Sequence, residues 1–394
     1  MLSKNFFLDK AEELYPFIKD IREHLHKNPE LSFKEHETSK YISQRLADLR
    51  LSHETGWADT GIVGVLGSGP RTLALRADID ALPITEANDV PYKSQKPGIM
   101  HACGHDVHSA SMMGALALLS LIKDLPGKVK YIFQPGEEKN PGGASLLIKE
   151  GVLENPKVDG IFGQHVYPDL AYGKVGFRPG MYMASCDEIY IEISGKGGHG
   201  ALPHKAVDPI YVASEIVVTL QNIVSRKANA TIPTVLSFGK CIGDGATNVI
   251  PSKVILEGTF RTFNEEWRKD AHNLIRKQVM GIAASLDATA SVKIDVGYPF
   301  LSNNEALTNK ASSWAKELLG PENVVDLDMR MTAEDFSFYS QQVPACFYRL
   351  GVRNEAKNIV HGVHHPNFDI EPEALKTGMA TMAYMAYRYL RDGY

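Results

Sequence analysis

Residues 129–138 read Val-Lys-Tyr-Ile-Phe-Gln-Pro-Gly-Glu-Glu, an apolar run that is followed by a proline, a glycine and two acidic residues. A short apolar run bounded by turn residues predicts a buried β-strand. Two other runs have the same form, because residues 71–77 end at Asp78 and residues 160–164 end at His165. The sequence therefore predicts three strands, each followed by polar side chains.

Segments with helical spacing separate these strands. Residues 10–26 and 107–123 repeat apolar side chains every three or four positions. Strands that alternate with helices indicate the α/β class, with a mainly parallel sheet covered on both faces. Ligands bind at the carboxyl edge of such sheets. Because Asp78, Glu137–Glu138 and His165 all fall at that edge, we expect them to share one site.

The pattern changes after residue 183. Residues 187–194 alternate apolar and polar side chains, as an antiparallel strand with one exposed face does. Further elements follow in the order β-α-β-β-α-β, which is typical of a ferredoxin-like split unit. We therefore predict that residues 184–296 form a smaller α+β domain, inserted into a larger discontinuous domain of residues 1–183 and 297–394.

Composition limits the classes of function. The chain has 394 residues, 44% of them hydrophobic, which is normal for a soluble globular protein with a large core. A net charge of -5 argues against nucleic acid or an anionic membrane as a partner. We see neither a secretory signal nor an apolar run near the ~20 residues of a membrane-spanning helix. Scattered cysteines are typical of reduced thiols, so we expect the cytoplasm; they are Cys103, Cys186, Cys241 and Cys346.

Residues 100–108, Met-His-Ala-Cys-Gly-His-Asp-Val-His, concentrate potential metal donors. Cys103 and His105 can face one point if the chain between them turns, and zinc accepts mixed sulfur and nitrogen ligands. Together with His165 and one glutamate of Glu137–Glu138 they could hold one or two metal ions. The alternative is a helix start that happens to be rich in polar residues.

A hydrolytic metal site also needs a base that takes a proton from water. Adjacent glutamates on a loop point in different directions, so one can bind metal while the other faces the water. We assign Glu138 as the ligand and Glu137 as the general base. The alternative is a solvated turn after Pro135-Gly136.

Two other histidine clusters are candidates. Residues 195–204 surround His199 with glycines, so His199 could polarise a substrate carbonyl, or the segment could be a flexible surface loop. One histidine of the His364-His365 pair could complete the metal site from the far end of the chain. No Gly-x-Ser-x-Gly motif or glycine-rich nucleotide-binding pattern occurs.

Six motifs occur in the order of the M20 metallopeptidases, and the chain resembles their amidohydrolase branch over nearly its whole length. That branch includes hippurate hydrolases, N-acetyldiaminopimelate deacetylases and plant auxin-conjugate hydrolases. The motifs are LRADIDALPI (75–84), MHACGHD (100–106), QPGEE (134–138), GQHV (163–166), GHG (198–200) and HHP (364–366).

The resemblance implies a metal-bearing catalytic domain, an inserted dimerisation (lid) domain, and a homodimer or higher homo-oligomer. It also implies two divalent ions per subunit, of zinc, manganese, cobalt or nickel. Cys103 corresponds to the position that bridges the two ions, and His364 is chosen over His365 because the family pattern is His-x-Pro. The implied ligands are Cys103, His105, Glu138, His165 and His364.

Other roles follow from the same resemblance. Glu137 is the implied base, and Asp78 is the carboxylate that orients a metal-binding imidazole. His199 matches a histidine that reaches across the dimer to stabilise the oxyanion, and Asn248 matches a substrate-binding asparagine. Arg261 is a candidate for gripping a substrate carboxylate, although it could equally form a surface ion pair.

The chain departs from the wider superfamily at one ligand position. Many M20 peptidases have His-x-Asp where this chain has Arg76-Ala77-Asp78, which shifts the prediction from peptide trimming to N-acyl amino acids. We predict metal-dependent hydrolysis of an N-acyl-L-amino acid to a free amino acid and a carboxylate. The alternatives are an M20-type dipeptidase or carboxypeptidase, and a non-catalytic binder of metal or amino acids. Glu137 argues against the binder, which has no use for a base.

Overall fold

The computed structural model describes residues 2–394, which divide into two compact units. The first unit comprises the chain up to Tyr182 together with Ser302–Met329 and Asp335–Tyr394. The second comprises Met183–Leu301 and Arg330–Glu334. The sequence pattern did not indicate that the short segment 330–334 joins the second unit. Within residues 2–394, no helix is both long enough and apolar enough to cross a membrane.

Nine α-helices, four short 3₁₀- or π-helical segments and fifteen strands form the regular structure of residues 2–394. The helices are α1 (Lys4–Lys27), α2 (His36–Asp48), α3 (His105–Ser120), α4 (Gly143–Lys149), α5 (Pro209–Asn222), α6 (Glu265–Ser285), α7 (Glu305–Leu319), α8 (Ser337–Ser340) and α9 (Ala374–Asp392). The strands are β1 (His53–Trp57), β2 (Gly61–Asp78), β3 (Pro126–Gln134), β4 (Gly160–Ala171), β5 (Val175–Phe177), β6 (Gly180–Met183), β7 (Asp187–Ser194), β8 (Gly198–His199), β9 (Thr234–Gly243), β10 (Val249–Ile250), β11 (Lys253–Thr262), β12 (Thr289–Val296), β13 (Leu301–Asn303), β14 (Val324–Asp326) and β15 (Ala345–Arg353).

The first unit is built on a seven-stranded sheet in the order β1-β2-β4-β15-β5-β14, with β3 also paired to β2. The pairing of β3 with the second half of β2 (Thr72–Asp78) is parallel, as are the pairs β2–β4, β4–β15 and β5–β14, whereas β1–β2 and β5–β15 are antiparallel. The predicted α/β class with a mainly parallel sheet is therefore confirmed. β2 is longer than predicted because β3 pairs with both of its halves, so Phe133 lies opposite Ile62 and Ala77.

Helix α3 lies in the middle of the first unit. Every residue from His105 to Leu119 is buried, because α3 packs against α1, α9 and the sheet. The helix begins after Gly104, whose φ of +83° is in the left-handed region that favours glycine. A Cβ atom on Gly104 would lie 2.6 Å from Val166 Cγ2. Gly104 therefore permits both the turn and the close approach to β4.

The strand β4 does not end at His165 as predicted but continues to Ala171. Its main chain stays paired with β15, where Arg349 lies opposite His165 and Gly351 lies opposite Tyr167. A polar side chain does not end a strand whose neighbour continues the hydrogen-bond ladder. His165 therefore projects from a regular strand and not from a loop.

The second unit contains a four-stranded antiparallel sheet in the order β12-β7-β11-β9, joined by α5 and α6. This order is that of a ferredoxin-like split unit. Ile189, Ile191 and Ile193 are buried and alternate with more exposed side chains, as the period of two predicts.

A buried ionic cluster fixes the first residue of β7. Asp187 is fully buried and accepts hydrogen bonds from Arg268 at 2.9 and 2.6 Å and from His272 at 2.7 Å. It also accepts one from the backbone N–H of Gly297. Burial alone would raise the pKa of Asp187, but the hydrogen bonds from His272 and Arg268 lower it below the ordinary value of 3.8.

Replacing Asp187 with asparagine should lower the free energy of unfolding by about 3–5 kcal/mol at pH 7, because Arg268 loses its buried carboxylate partner and keeps only the more exposed Glu265. The lowered pKa means that the carboxylate stabilises the fold fully above about pH 4 and loses this effect as the pH falls further. The difference between parent and variant should therefore shrink below pH 4. Urea titration of the full chain measures the free-energy difference at pH 7 and its decrease below pH 4.

The matched control is Asp295→Asn on β12, where the carboxylate pairs with the exposed Lys293. This substitution should lower the free energy of unfolding by less than about 1 kcal/mol. Equal effects of the two substitutions would show that the Asp187 cluster does not stabilise the second unit.

Candidate metal centre

Three segments at the carboxyl edge of the central sheet supply most of the predicted metal ligands. Helix α3 begins at His105, directly after Cys103 and Gly104. The loop after β3 carries Glu138, and β4 carries His165. Parallel strands bring these segments together, and the left-handed turn at Gly104 lets the cysteine and the histidine approach one point.

The donor atoms of the five predicted ligands form two overlapping groups. Those of Cys103, His105 and His165 lie within 4.8 Å of one another, and Cys103 Sγ is 3.5 Å from His165 Nε2. Those of Cys103, Glu138 and His364 also lie within 4.8 Å of one another. Cys103 is common to both groups.

One of these donor atoms, His105 Nε2, is buried and has no hydrogen-bond partner within residues 2–394. It lies 3.9 Å from Glu138 Oε1, which is itself 3.2 Å from His364 Nε2. Buried polar atoms in native proteins are almost always satisfied, so an orphaned imidazole nitrogen among thiol, imidazole and carboxylate donors points to a cation. The sulfur, nitrogen and oxygen donors suit a divalent transition metal such as zinc. The residues present therefore fit a metal ion.

The rings of the two buried histidine ligands are held in one orientation. His105 Nδ1 lies 2.8 Å from the main-chain oxygen of Asp80 and 3.1 Å from its Oδ1. His165 Nδ1 lies 2.8 Å from the main-chain oxygen of Val166. Each Nδ1 can only donate to these oxygens, so Nε2 is the nitrogen of each ring that a metal can bind.

His108 lies beside the donors, but both of its ring nitrogens are already used. Its Nδ1 donates to Asp78 Oδ1 at 2.5 Å, and its Nε2 accepts the backbone N–H of Val166 at 2.9 Å. Asp78 was expected to orient a metal-binding imidazole, but the imidazole that it bonds is that of His108. For the predicted ligand His105, Asp80 makes that contact.

Nearby carboxylates shift the protonation of two ligands. Burial disfavours a charged His105, but Asp78, Asp80 and Glu138 outweigh it and raise its pKa to about 10. Burial, together with the charge of Glu138, raises the pKa of the Cys103 thiol well above its usual range. Both residues therefore hold a proton at neutral pH, which a metal ion must displace.

The third buried ligand needs no such displacement. Burial lowers the pKa of His165 well below its usual value, and the positive charge of Arg349 lowers it further. His165 is therefore neutral at pH 7 and able to bind metal directly.

The predicted base, Glu137, is 6% exposed and fixed beside the donors. Its Oε1 accepts the backbone N–H of Asp335 at 3.4 Å, and its Oε2 lies 4.0 Å from His105 Nε2. The Asp335 carboxylate in turn accepts from Arg76 at 2.6 Å. Arg76 also donates to Asp78 at 2.6 Å, so its buried guanidinium bonds two carboxylates.

The far end of the chain reaches the centre through His364. Its backbone N–H donates to the main-chain oxygen of Ala102, and its Nε2 lies 3.2 Å from Glu138 Oε1. The ring of His365 instead stacks on His361 at 4.4 Å, with Nδ1 accepting the N–H of Asn367. Of the two histidines, His364 is the one in the donor group.

The other predicted residues lie in the second unit. His199 is exposed at the end of β8, and Asn248 is exposed directly before β10. The two residues are close because β8 pairs with β10 and the N–H of Gly200 donates to the main-chain oxygen of Asn248. Arg261 is half-buried on β11 and donates to the main-chain oxygen of Met331 at 2.9 Å.

Sequence reasoning assigned no role to two residues of the centre. Asp80 lies within the quoted LRADIDALPI motif, two positions after Asp78, and that second carboxylate was the available signal. Asp335 lies in a short acidic pair on a loop. No pattern in the sequence indicated that it would form hydrogen bonds with Glu137 and Arg76.

Residues 74–388 match the model of a family described as "Peptidase family M20/M25/M40". The chain belongs to this family. It is therefore a hydrolase of amide bonds, and the predicted family and enzyme class are confirmed.

Relatives of this M20 chain have several hydrolase names. It is 40% identical to N-acetyl-L-cysteine deacetylase of Bacillus subtilis, over 90% of this chain and 84% of the relative. It is 40% identical to IAA-amino acid hydrolase ILR1-like 4 of Arabidopsis thaliana, over 99% and 89%. It is 37% identical to thermostable carboxypeptidase 2 of Saccharolobus solfataricus, over 96% and 97%.

A solved structure extends the similarity. The YXEP protein of Bacillus subtilis, described as a dinuclear metal-binding peptidase of the M20 family, aligns with a TM-score of 0.82 and 35% identity. The alignment covers 96% of this M20 chain and 99% of that chain.

Metal binding should release protons, so the apparent affinity should rise with pH. Because Cys103 and His105 carry raised pKa values, displacing their protons should tighten binding up to about tenfold per pH unit for each proton released. Calorimetry with Zn²⁺ at pH 6, 7 and 8, in buffers of different ionisation enthalpy, measures the affinity and the number of protons.

Cys103→Ser should release one proton fewer and bind the ion more weakly. The control is Cys241→Ser, which alters an exposed thiol on β9 and should leave both quantities unchanged. Affinity of the parent protein that did not change with pH would contradict the protonation assigned to the centre.

Proposed function

We propose that the protein is a metal-dependent amidohydrolase that cleaves N-acyl-L-amino acids into a free amino acid and a carboxylate. One observation carries this proposal: Glu137, a nearly buried carboxylate, lies 4.0 Å from a ligand nitrogen that has no hydrogen-bond partner. A base beside an assembled donor set suits hydrolysis better than storage or binding of a metal.

We further propose two divalent cations per subunit, of zinc, manganese, cobalt or nickel. Supporting this, Cys103 belongs to both donor groups, as a bridging thiolate would. The similar YXEP protein is described as dinuclear. Cys103, His105 and His165 would hold one ion, and Cys103, Glu138 and His364 the other.

We propose the following roles for the protein's own groups. When bound, a divalent cation lowers the pKa of water and withdraws electron density from a carbonyl oxygen. Glu137 accepts the proton of the attacking water and delivers it to the leaving nitrogen. His199 donates a hydrogen bond to the developing oxyanion. Asn248 and Arg261 hold the substrate, with the guanidinium on its carboxylate.

The competing functions are peptide cleavage and binding without catalysis. A similar relative is named a carboxypeptidase, so a dipeptide substrate is the second candidate. Arg76 favours an acyl-amino acid as the substrate. Many M20 peptidases have a metal-binding histidine at this position, whereas here the buried guanidinium pairs with Asp78 and Asp335.

We propose that the second unit acts as the lid and joins two subunits. Strand β9 lies at the end of its sheet and pairs only with β11 among the described strands, so one edge is open. Helix α5 exposes apolar side chains at Ile210, Tyr211 and Val218, and Val218 is 71% exposed. An open strand edge beside apolar side chains is suited to a second copy of the chain.

We propose the cytoplasm as the place of action. The four cysteines are free thiols, which is the usual state in a reducing compartment.

A hydrolysis screen tests the function. Acetyl-, benzoyl- and indoleacetyl-amino acids, with each metal added back to chelated protein, should be cleaved faster than dipeptides. Glu137→Gln should lower kcat by about 10²–10⁴-fold, because the base is lost, while the metal content stays at the parent value.

The matched variant is Glu138→Gln, which removes the neighbouring carboxylate and should lose both metal and activity. Faster cleavage of dipeptides would favour the peptidase. Parent-level activity of Glu137→Gln on every good substrate would defeat the mechanism.

Mixing two inactive variants tests whether His199 acts across the dimer. Glu137→Gln and His199→Ala should each have little activity. In a hybrid dimer, one site combines an intact Glu137 with His199 of the partner subunit. A one-to-one mixture, dissociated and reassociated, should regain about a quarter of the parent activity, because half of the dimers are hybrids with one working site.

The surface of α5 supplies the control. Val218→Asp in both variants should yield monomers by light scattering and abolish the recovery. Leu121→Asp, at an exposed apolar residue of the first unit, should leave the recovery intact. No recovery from stable hybrid dimers would place His199 in its own subunit's site or outside catalysis.

A further inference from the structure

The loop that carries Glu137 and Glu138 joins β3 to α4. It occupies residues 135–142, so it is flanked by Gln134 at the end of β3 and by Gly143 at the start of α4. A side chain on such a loop can act at one fixed point only if the ends of the loop are held in place.

A carboxylate from a distant part of the chain bonds both ends of this loop. Asp335 is fully buried, and its Oδ1 and Oδ2 each accept a hydrogen bond from the side-chain amide of Gln134 at 2.8 Å. Its Oδ2 also accepts the backbone N–H of Ala144, in the first turn of α4, at 3.0 Å. The two ends of the loop are therefore joined through one side chain.

Asp335 is also anchored to the central sheet. Arg76 on β2 donates to Asp335 Oδ1 at 2.6 Å and to Gln134 Oε1 at 2.9 Å. The guanidinium is buried, and hydrogen bonds between charged groups are stronger than those between neutral groups. The carboxylate is therefore fixed to β2 as well as to the loop.

The main chain closes the loop at the same point. The N–H of Gly143 donates to the main-chain oxygen of Gly136 at 3.1 Å. A Cβ atom on Gly143 would lie 1.7 Å from the main-chain oxygen of Pro135, so only glycine permits this approach. The glycine and the Asp335 carboxylate thus give independent evidence that the loop ends are held together.

This closure brings Glu137 against Asp335. Glu137 Oε1 accepts the backbone N–H of Asp335 at 3.4 Å, while its Oε2 lies 4.0 Å from His105 Nε2. The group that donates to one oxygen of Glu137 is thus itself fixed by the side chain of the same residue. The orientation of the Glu137 carboxylate therefore depends on Asp335.

We infer that Asp335 is a positioning residue for the proposed base. By joining the two ends of the loop at 135–142, it holds the Glu137 carboxylate in the orientation that accepts a proton from water. It acts through Glu137 and does not contact the substrate or the metal. The inference rests on the role of Glu137 in the proposed function.

Asp335→Asn tests this role, because it keeps the size of the side chain but leaves a single acceptor oxygen. With that oxygen on Arg76, the new amide group faces the N–H of Ala144, and two donors do not bond each other. For the acyl-amino acid that the parent cleaves fastest in the screen above, kcat should fall about 10–100-fold, because the base is misplaced. KM should change less than about threefold, since substrate binding is untouched, and the metal content should stay at the parent value.

The matched control is Ser145→Ala in α4. Its hydroxyl donates to the main-chain oxygens of Pro141 and Gly142 at 3.0 and 2.8 Å, so the substitution removes bonds to the same loop without altering Asp335. Its kcat should change less than about threefold. Amide hydrogen exchange of metal-free protein adds a readout without catalysis. The N–H of Ala144 should exchange at least about tenfold faster in Asp335→Asn, and at the parent rate in Ser145→Ala.

A second variant keeps the test valid if Asp335→Asn does not fold. Gly143→Ala forces the ends of the loop apart without changing any charged group, because the added Cβ meets the main chain of Pro135. It should lower kcat about 10–100-fold as well, again with little change in KM or metal content. Its control is Gly281→Ala on α6, where an added Cβ meets nothing within 4 Å, and that variant should keep the parent kcat.

A double variant separates this inference from the proposed function. If Asp335 acts through Glu137, then Asp335→Asn combined with Glu137→Gln should be no slower than Glu137→Gln alone, whereas independent losses would multiply. Multiplying losses, a parent-level kcat in Asp335→Asn, or loss of its metal would each overturn the positioning role and leave the proposed function standing. A parent-level kcat in Glu137→Gln would instead overturn the proposed function, and the positioning role with it.

Discussion

Parallel strands bring their carboxyl ends to one edge of a sheet, and the candidate centre depends on that geometry. β2 ends at Asp78 and β3 ends at Gln134, while β4 carries His165 past the same edge. A buried helix then starts from this edge, because Gly104 turns the chain directly before His105. Side chains that are far apart in the sequence therefore converge without a long loop to hold them.

The same edge buries several charges, and each needs a partner. Asp78 is paired with Arg76 and His108, and Asp106 is paired with Arg22 and His26. Breaking such pairs is costly, so the network holds the edge rigid. His105 Nε2 contrasts with these pairs, because no group within residues 2–394 forms a hydrogen bond with it. Rigid pairing around an unsatisfied donor set is what a prearranged metal site requires.

The two units divide the chemistry that we propose. The first contains the donor groups and Glu137, so it can bind a cation and move a proton. The second carries His199, Asn248 and Arg261, which are suited to hydrogen bonds with an oxyanion and a substrate carboxylate. Family membership establishes amide hydrolysis.

The sequence by itself determined the α/β class and the family, and it predicted a ferredoxin-like insertion, because periodicity and motif spacing are local properties of the chain. It also brought out the donor residues, since thiols, imidazoles and carboxylates at the ends of strands are visible in the sequence. Only the tertiary structure decided that Asp80 contacts His105, that Asp335 contacts Arg76, and that β4 continues beyond its histidine. Those outcomes depend on which atoms of distant segments come within hydrogen-bonding distance, and residue spacing does not encode that distance.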